Sequence, residues 1–273
     1  MHDRPENSFS RRLLRALTSP SKLGKAISAR VRSAPFRLGL TSLWPGTYLS
    51  CLPDRYSVNY SVYAQHGGLM DPNELRGYLK GNNENNCGDL ARYYFLRLVI
   101  DQILKEGLRG DVAELGVYKG NTAFLLARMA RRLASTAYLL DTYEGFSQQD
   151  FIGIDSGKPT SYKDTSLSAV QSLVGNENVR FIRGRFPESV TQMPDNLLFC
   201  LVHLDCDLYA PFHAALRYFY PRLITGGFLL MHDYSSLSCW DGPERAADEF
   251  FADKPEKVIP IPDKSGTAAV RKV

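Results

Sequence analysis

One stretch narrows the possible folds more than any other: Gly110-Asp111-Val112-Ala113-Glu114-Leu115-Gly116-Val117-Tyr118-Lys119-Gly120-Asn121-Thr122. A short apolar run stops at a glycine-punctuated turn and leads straight into the amphipathic segment Phe124 to Arg132. A second apolar run, Ala137 to Leu140, then delivers Asp141. Strand, glycine turn, helix and a second strand ending in an acid make one half of a nucleotide-binding α/β sheet. Glycine lets backbone approach a ligand where a Cβ would collide. The acid can accept two hydrogen bonds from the vicinal hydroxyls of a ribose.

The spacing of the glycines selects the ligand. A dinucleotide fingerprint needs G-x-G-x-x-G, which holds a pyrophosphate at a helix N-terminus. This chain has Glu114-x-Gly116-x-x-x-Gly120 instead. A Glu114 carboxylate beside the turn repels an anion and suits a cationic ligand. S-adenosylmethionine, with an amine, a sulfonium and a ribose, fits better than a diphosphate. A purely steric role for the glycines is the competing reading, and Asp141 at the next strand end weighs against it.

Strands and helices alternate along the rest of the chain. Cys87 to Glu106 has Leu90, Tyr94, Leu98, Ile100, Ile103 and Leu104 recurring at helical spacing. After Asp141, residues 142 to 162 read as a polar loop, Leu167 to Leu173 as a helix and Val179 to Arg183 as a strand. Leu197 to Leu204 is almost wholly apolar, as in a central parallel strand covered on both faces. A helix at Pro211 to Tyr220, a strand at Phe228 to Met231 and a helix at Glu244 to Phe251 follow. Lys257 to Ile261 and Thr267 to Arg271 flank a turn and read as a hairpin. The fold class is therefore α/β: a Rossmann-like, doubly wound, mostly parallel seven-stranded sheet with a reversed edge strand from the C-terminal hairpin.

Three regions follow from composition. Residues 1–45 form a basic arm, with nine Lys and Arg against Asp3 and Glu6 in the first forty positions, although the whole chain carries only +4. Two readings stand for it: an amphipathic helix on an anionic membrane surface or acidic partner, and a solvated tail. Residues 46–86, rich in Tyr, Gly, Asn and Pro, read as an irregular cap over the ligand site. Residues 87–273 hold the α/β domain. The chain outside the arm is net negative, which excludes a basic track for nucleic acid. No apolar run is long enough to span a bilayer. Five cysteines without a C-x-x-C give neither a disulfide framework nor a zinc-finger site. A cytoplasmic location, with membrane-peripheral contact through the arm, is expected, as is a homo-oligomer.

A second cluster carries chemistry. His203-Leu204-Asp205-Cys206-Asp207-Leu208-Tyr209 places two acids where an apolar strand stops, and one strand later the chain reads His232-Asp233-Tyr234. Adjacent strands would bring Asp205, Asp207, His232 and Asp233 to the same rim as Gly116 and Asp141. Asp205 and Asp233 offer oxygen ligands for Mg²⁺ or Mn²⁺. Asp207 is left to accept a proton, with helix capping as its alternative role.

Together these segments resemble the macrocin O-methyltransferase family of S-adenosylmethionine-dependent methyltransferases, over about Lys80 to Tyr234. GDVAELGVYKGNTA is similar to the family's first motif, which implies that Glu114, Gly116 and Gly120 meet the methionine end of the cofactor, with Tyr118 as a further cofactor-binding residue. LLDTYEGF is similar to the second, placing Asp141 on the ribose with Thr142 and Tyr143 nearby. FIRGRFPESV puts Gly184, Arg185 and Phe186 near the adenine. HLDCDLY gives Asp205 as a metal ligand and Asp207 as the candidate general base. The family usually has two adjacent acids before the tyrosine, whereas this chain has His232-Asp233. An imidazole ligand at His232 favours a softer metal than Mg²⁺, and the alternative is that His232 leaves a weaker site.

The resemblance implies metal-assisted methyl transfer to a hydroxyl of a sugar or a glycosylated small molecule. Two alternatives remain at this stage. A glycosyltransferase also uses D-x-D at a strand end, and a binding protein can keep the fold without catalysis. For the arm, deletion of residues 1–40 is expected to abolish co-sedimentation with anionic liposomes. Undiminished co-sedimentation of the shortened chain would leave the solvated tail as the reading.

Overall fold

The computed structural model describes residues 74, 77–78, 90–158, 161–236 and 240–273. The basic arm lies outside the described residues, and so does the cap apart from Glu74, Gly77 and Tyr78.

The sheet is seven-stranded, with β1 (Asp111–Leu115), β2 (Ala137–Asp141), β3 (Val179–Arg183), β4 (Phe199–Leu204), β5 (Leu223–Met231), β6 (Ile259–Pro260) and β7 (Ala268–Arg271) in the order β3-β2-β1-β4-β5-β7-β6. Strands β3, β2, β1, β4 and β5 are parallel, and β7 runs antiparallel to both β5 and β6. The order reverses between β1 and β4. At such a switch point the crossovers leave in opposite directions, and a crevice opens beyond the strand ends.

Side-chain alternation builds a core on each face of the sheet. Val112, Leu139 and Leu201 pack on one side with α1 (Leu90–Glu106), α2 (Asn121–Leu133) and α3 (Leu167–Val174). Ala113, Leu140 and Val202 pack on the other with α4 (Tyr209–Phe219) and α5 (Asp241–Phe251). All six residues of β4 are buried, as expected of a central strand covered on both faces.

Three sequence expectations change in detail. The reversed strand β7 is not the edge. Its Ala268, Ala269 and Val270 are buried, whereas both residues of β6 are exposed and Pro260 cannot donate to a ladder, so β6 lies outermost. In α1, Leu98 is 49% exposed, while Arg92 and Arg97 face inward. The buried face of α1 follows paired charges as well as apolar residues: Arg97 meets Glu74 and Asp101. The segment after β2 is a wall built from two short 3-10 turns, Gln148–Asp150 and Gly153–Asp155.

The glycines serve the protein's own backbone. Gly116 has φ 90°, and a Cβ there would lie 1.8 Å from the carbonyl oxygen of Asp205. The ends of β1 and β4 thus touch through a position that has no room for a side chain. Gly120, at φ 88°, is the residue before α2 and faces Val170 and Val174 of α3. Gly116→Ala is expected to cost at least about 2 kcal/mol through backbone strain and displacement of the Asp205 peptide. A fall in Tm of about 4–8 °C in a thermal melt is the corresponding readout.

Candidate active site

Strand register assembles the site. Leu115 pairs with Leu204, and Leu204 pairs with Met231, so Gly116, Asp205 and His232 begin three neighbouring strand exits. The Asp205 N–H donates to Leu115 O and the His232 N–H donates to Leu204 O, each at 2.8 Å, which extends the ladder past the strands. Asp207 and Asp233 both have φ 57°, a left-handed conformation that Asp tolerates. Beyond these exits lies a cleft of about 690 Å³, within the range of small-molecule sites.

Every candidate site residue except Gly120 and Tyr143 lines this cleft. Gly120 is turned toward α3, as described. Tyr143 has φ 58°, which swings its ring into the core; it is 3% exposed and its hydroxyl donates to Leu139 O at 2.8 Å. Its contribution to the site is its backbone, whose N–H donates to Asp141 Oδ1 at 2.7 Å.

Asp141 does more than the sequence suggested. Its Oδ2 accepts the N–H groups of Val117 at 2.7 Å and Tyr118 at 2.8 Å. The acid that closes β2 therefore holds the glycine turn that closes β1. Thr142 Oγ1 sits against Asp141 Oδ1 and Gly145 O. Near the end of β3, Arg185 pairs with Asp150 at 2.7 Å, and Phe186 stacks on Phe219 with ring centroids 6.0 Å apart. Tyr118 donates its hydroxyl to Asp164 at 2.6 Å, tying the turn to the wall after β2.

A buried polar chain forms the floor, and sequence reasoning missed its organiser, Arg92. From α1, Arg92 Nη2 pairs with Asp205 Oδ2 at 2.5 Å and reaches His203 Nε2 at 3.4 Å and Thr122 Oγ1 at 3.3 Å. Because the guanidinium can only donate, His203 Nε2 is the acceptor. His203 Nδ1 then carries the proton and donates to Glu114 Oε1 at 3.1 Å. Burial and the Arg92 charge push His203 down to about 3, so this contact joins neutral imidazole to Glu114. Glu114 Oε2 is buried and has no hydrogen-bond partner among the described residues. Burial, reinforced by the Asp205 charge, holds the Glu114 carboxyl well above its usual range. Burial therefore favours the protonated form of the carboxyl expected from sequence, and an arriving cation would favour its ionisation.

Asp205, His232 and Asp233 converge. His232 Nδ1 is 3.0 Å from Asp205 Oδ1 and 3.0 Å from Asp233 Oδ2. Ligating atoms of the three lie within 4.8 Å of one another, the one group of this kind among the described residues. Burial opposes ionisation of Asp205, but the charges of His232 and Arg92 outweigh it and hold the carboxyl well below the usual range. Burial and Arg92 push His232 down, yet Asp205 and Asp233 win and bring it up to about 10. Burial first, then Asp233 and Asp205, push Asp207 well above the ordinary carboxylate range. Asp207 does not cap α4: the Tyr209 N–H is taken by Asp155 Oδ2 at 2.8 Å, from the wall after β2.

This fold, with a glycine turn, a β2 acid and an acidic rim in one cleft, defines a methyltransferase-like α/β protein. The macrocin-O-methyltransferase (TylF) family pattern matches residues 88–258, more than half of the chain, and the chain belongs to that family. It is 28% identical over 169 residues to 8-demethyl-8-(2,3-dimethoxy-alpha-L-rhamnosyl)-tetracenomycin-C 4'-O-methyltransferase of Streptomyces olivaceus, covering 56% of this chain and 63% of the relative. It is 30% identical over 167 residues to mycinamicin III 3''-O-methyltransferase of Micromonospora griseorubida, covering 55% of this chain and 65% of the relative. The chain thus spans a little under two thirds of the length of these two relatives. Among solved structures, the O-methyltransferase NovP superposes with a TM-score of 0.56 at 21% identity, over 67% of this chain and 80% of that one. The fold expected from the sequence is thereby shown. No helix among the described residues is long and apolar enough to cross a membrane.

The upward shift of Glu114 makes a prediction about pH. Its folded value lies above the ordinary 4.5, so the folded state keeps a proton that the unfolded state releases. Its favourable contribution is complete below pH 4.5 and is lost as pH rises toward the raised folded value. The Tm of Glu114→Gln is therefore expected to gain on wild type between pH 4.5 and pH 8. A constant difference across that range would contradict the upward shift.

Proposed function

We propose that this protein is an S-adenosylmethionine-dependent O-methyltransferase acting on a hydroxyl of a sugar-bearing small molecule or glycan. The single observation that carries the reading is the cleft itself. It joins a glycine turn pinned by Asp141, the unpartnered buried Glu114 Oε2 and the Asp205–His232–Asp233 cluster on one rim. Family membership and the two sugar O-methyltransferase relatives support it.

In this reading Asp141 accepts from one ribose hydroxyl at Oδ1, because Val117 and Tyr118 fill Oδ2 and the Tyr143 N–H takes one of the two Oδ1 sites. Phe186 and Gly184 face the adenine, and Arg185 is held beside them by Asp150. Glu114 Oε2 receives the cofactor's ammonium, which compensates the cost of ionising the buried acid. Bound S-adenosylmethionine supplies an electrophilic methyl on a sulfonium. Methyl transfer to the acceptor hydroxyl would form the O–C bond as the S–C bond breaks with its electron pair left on sulfur, and Asp207 would take the hydroxyl proton. Asp207 must first ionise, and the positive charge brought into the cleft by the cofactor favours that.

The donor set also fits a divalent cation. Asp205 Oδ1, Asp233 Oδ2 and His232 Nδ1 converge at separations expected of neighbouring ligands. A bound cation would lower the pKa of the acceptor hydroxyl. Two oxygens and one imidazole nitrogen suit Mn²⁺ or a later divalent metal better than Mg²⁺. Assembly as a homo-oligomer and membrane-peripheral contact through the arm remain part of the proposal.

Two outcomes are expected. S-adenosylmethionine should raise the Tm, nucleotide-sugars should not, and Asp141→Ala should remove the shift; protection by nucleotide-sugars alone would favour the glycosyltransferase reading. In calorimetric titrations Mn²⁺ should bind at least tenfold more tightly than Mg²⁺, and His232→Asp should narrow that ratio. An unchanged ratio in the variant would remove His232 from the ligand set.

A further inference from the structure

Three aromatic rings in the cleft stand outside the expected cofactor and acid residues, and one of them, Tyr162, meets the Tyr118 ring edge-on with centroids 5.0 Å apart. Phe146 and Tyr162 come from the wall after β2, and Trp240 is the residue before α5. All three line the cleft and are only half-buried, unlike the aromatic residues of the core. Their centroids form one contiguous patch: 5.6 Å from Phe146 to Tyr162, 6.1 Å from Phe146 to Trp240 and 6.3 Å from Tyr162 to Trp240.

The patch is held firmly. Phe151, 7% exposed, backs Phe146 with centroids 5.7 Å apart. The Phe146 N–H donates to Ser161 O at 3.0 Å, closing the loop that presents Tyr162. The Trp240 N–H donates to Ser236 Oγ at 2.8 Å, and Lys158, which does not line the cleft, places its Nζ 4.9 Å from the Trp240 ring centroid. Half-exposed rings fixed in this way present a standing apolar surface to whatever enters. Opposite them lie the acids. Asp205, Asp207 and Asp233 line the same cleft as the three rings.

The tilts indicate the occupant. The rings meet at 78°, 56° and 37°, so they form a cup and not a parallel slot. A planar aromatic acceptor gains most from parallel, offset stacking. A pyranose is puckered, with C–H groups projecting from one face and hydroxyls around its edge. It can set C–H groups against several tilted rings at once while its edge hydroxyls reach polar partners.

We propose that Phe146, Tyr162 and Trp240 form the acceptor subsite, holding the apolar face of a pyranose ring so that one edge hydroxyl meets Asp207 and Asp233. This inference rests on the methyltransferase reading and adds to it the place and chemistry of acceptor recognition.

Methyl α-L-rhamnopyranoside is a suitable probe because one relative acts on a rhamnosyl compound. Ligand-observed NMR with the full chain and S-adenosylhomocysteine should show saturation passing from aromatic protons to the ring C–H protons of the glycoside. Trp240→Ala and Tyr162→Ala should each weaken glycoside binding at least tenfold and leave S-adenosylhomocysteine affinity by calorimetry within twofold, which also reports that the variants fold. Tyr162→Phe should retain glycoside binding. The inference is overturned if the wild type shows no transfer, if both alanine variants bind the glycoside as wild type does, or if planar caffeic acid displaces it. When S-adenosylhomocysteine binds normally in those cases, the subsite alone falls. When S-adenosylhomocysteine fails to bind the wild type, the methyltransferase reading falls with it.

Discussion

The site depends on how one carboxylate is shared. Asp205 gives one oxygen to Arg92 and the other to His232, at the place where β4 leaves the sheet. Arg92 in turn fixes the tautomer of His203, which orients Glu114 with its outer oxygen unpartnered. His232 links Asp205 to Asp233 on the next strand. Breaking a buried pair of this kind leaves an uncompensated charge, which costs about 3–5 kcal/mol. The cofactor side and the acid side of the cleft are therefore set by one connected network and not by two independent motifs.

The sheet makes that network possible. Parallel register brings Gly116, Asp205 and His232 to the same level, and the strand-order reversal between β1 and β4 opens the cleft there. Gly116 allows the β4 exit to come within contact of the β1 turn. Asp141 then ties that turn to the end of β2. Backbone geometry and acidic side chains support each other at each strand end.

Much of this was legible in the sequence, and the rest was hidden for physical reasons. Asp141, Asp205 and Asp233 stood out because an acid directly after an apolar strand has few structural explanations. The β-hairpin was legible from its turn, but not the position of β7 inside β6, which depends on which strand buries its residues. Arg92 was hidden because an arginine among apolar helix residues looks solvent-facing until the rotation of α1 is known. Tyr143 looked like a site residue from its neighbours, yet a left-handed backbone turns its ring into the core. Phe146, Tyr162 and Trp240 are separated in the chain, and no spacing rule brings the three rings to one patch. Asp155 caps α4 from a distance that spacing cannot reveal.

The most direct test of the central claim is a crystal structure of the protein with S-adenosylhomocysteine. The account predicts the ribose at Asp141, the adenine against Phe186 and the ammonium at Glu114 Oε2, with the sulfur facing the Asp207 side of the cleft. A ligand lying the other way, with its adenine over Asp207 and its amine near Phe186, would contradict it, as would an empty cleft at saturating ligand.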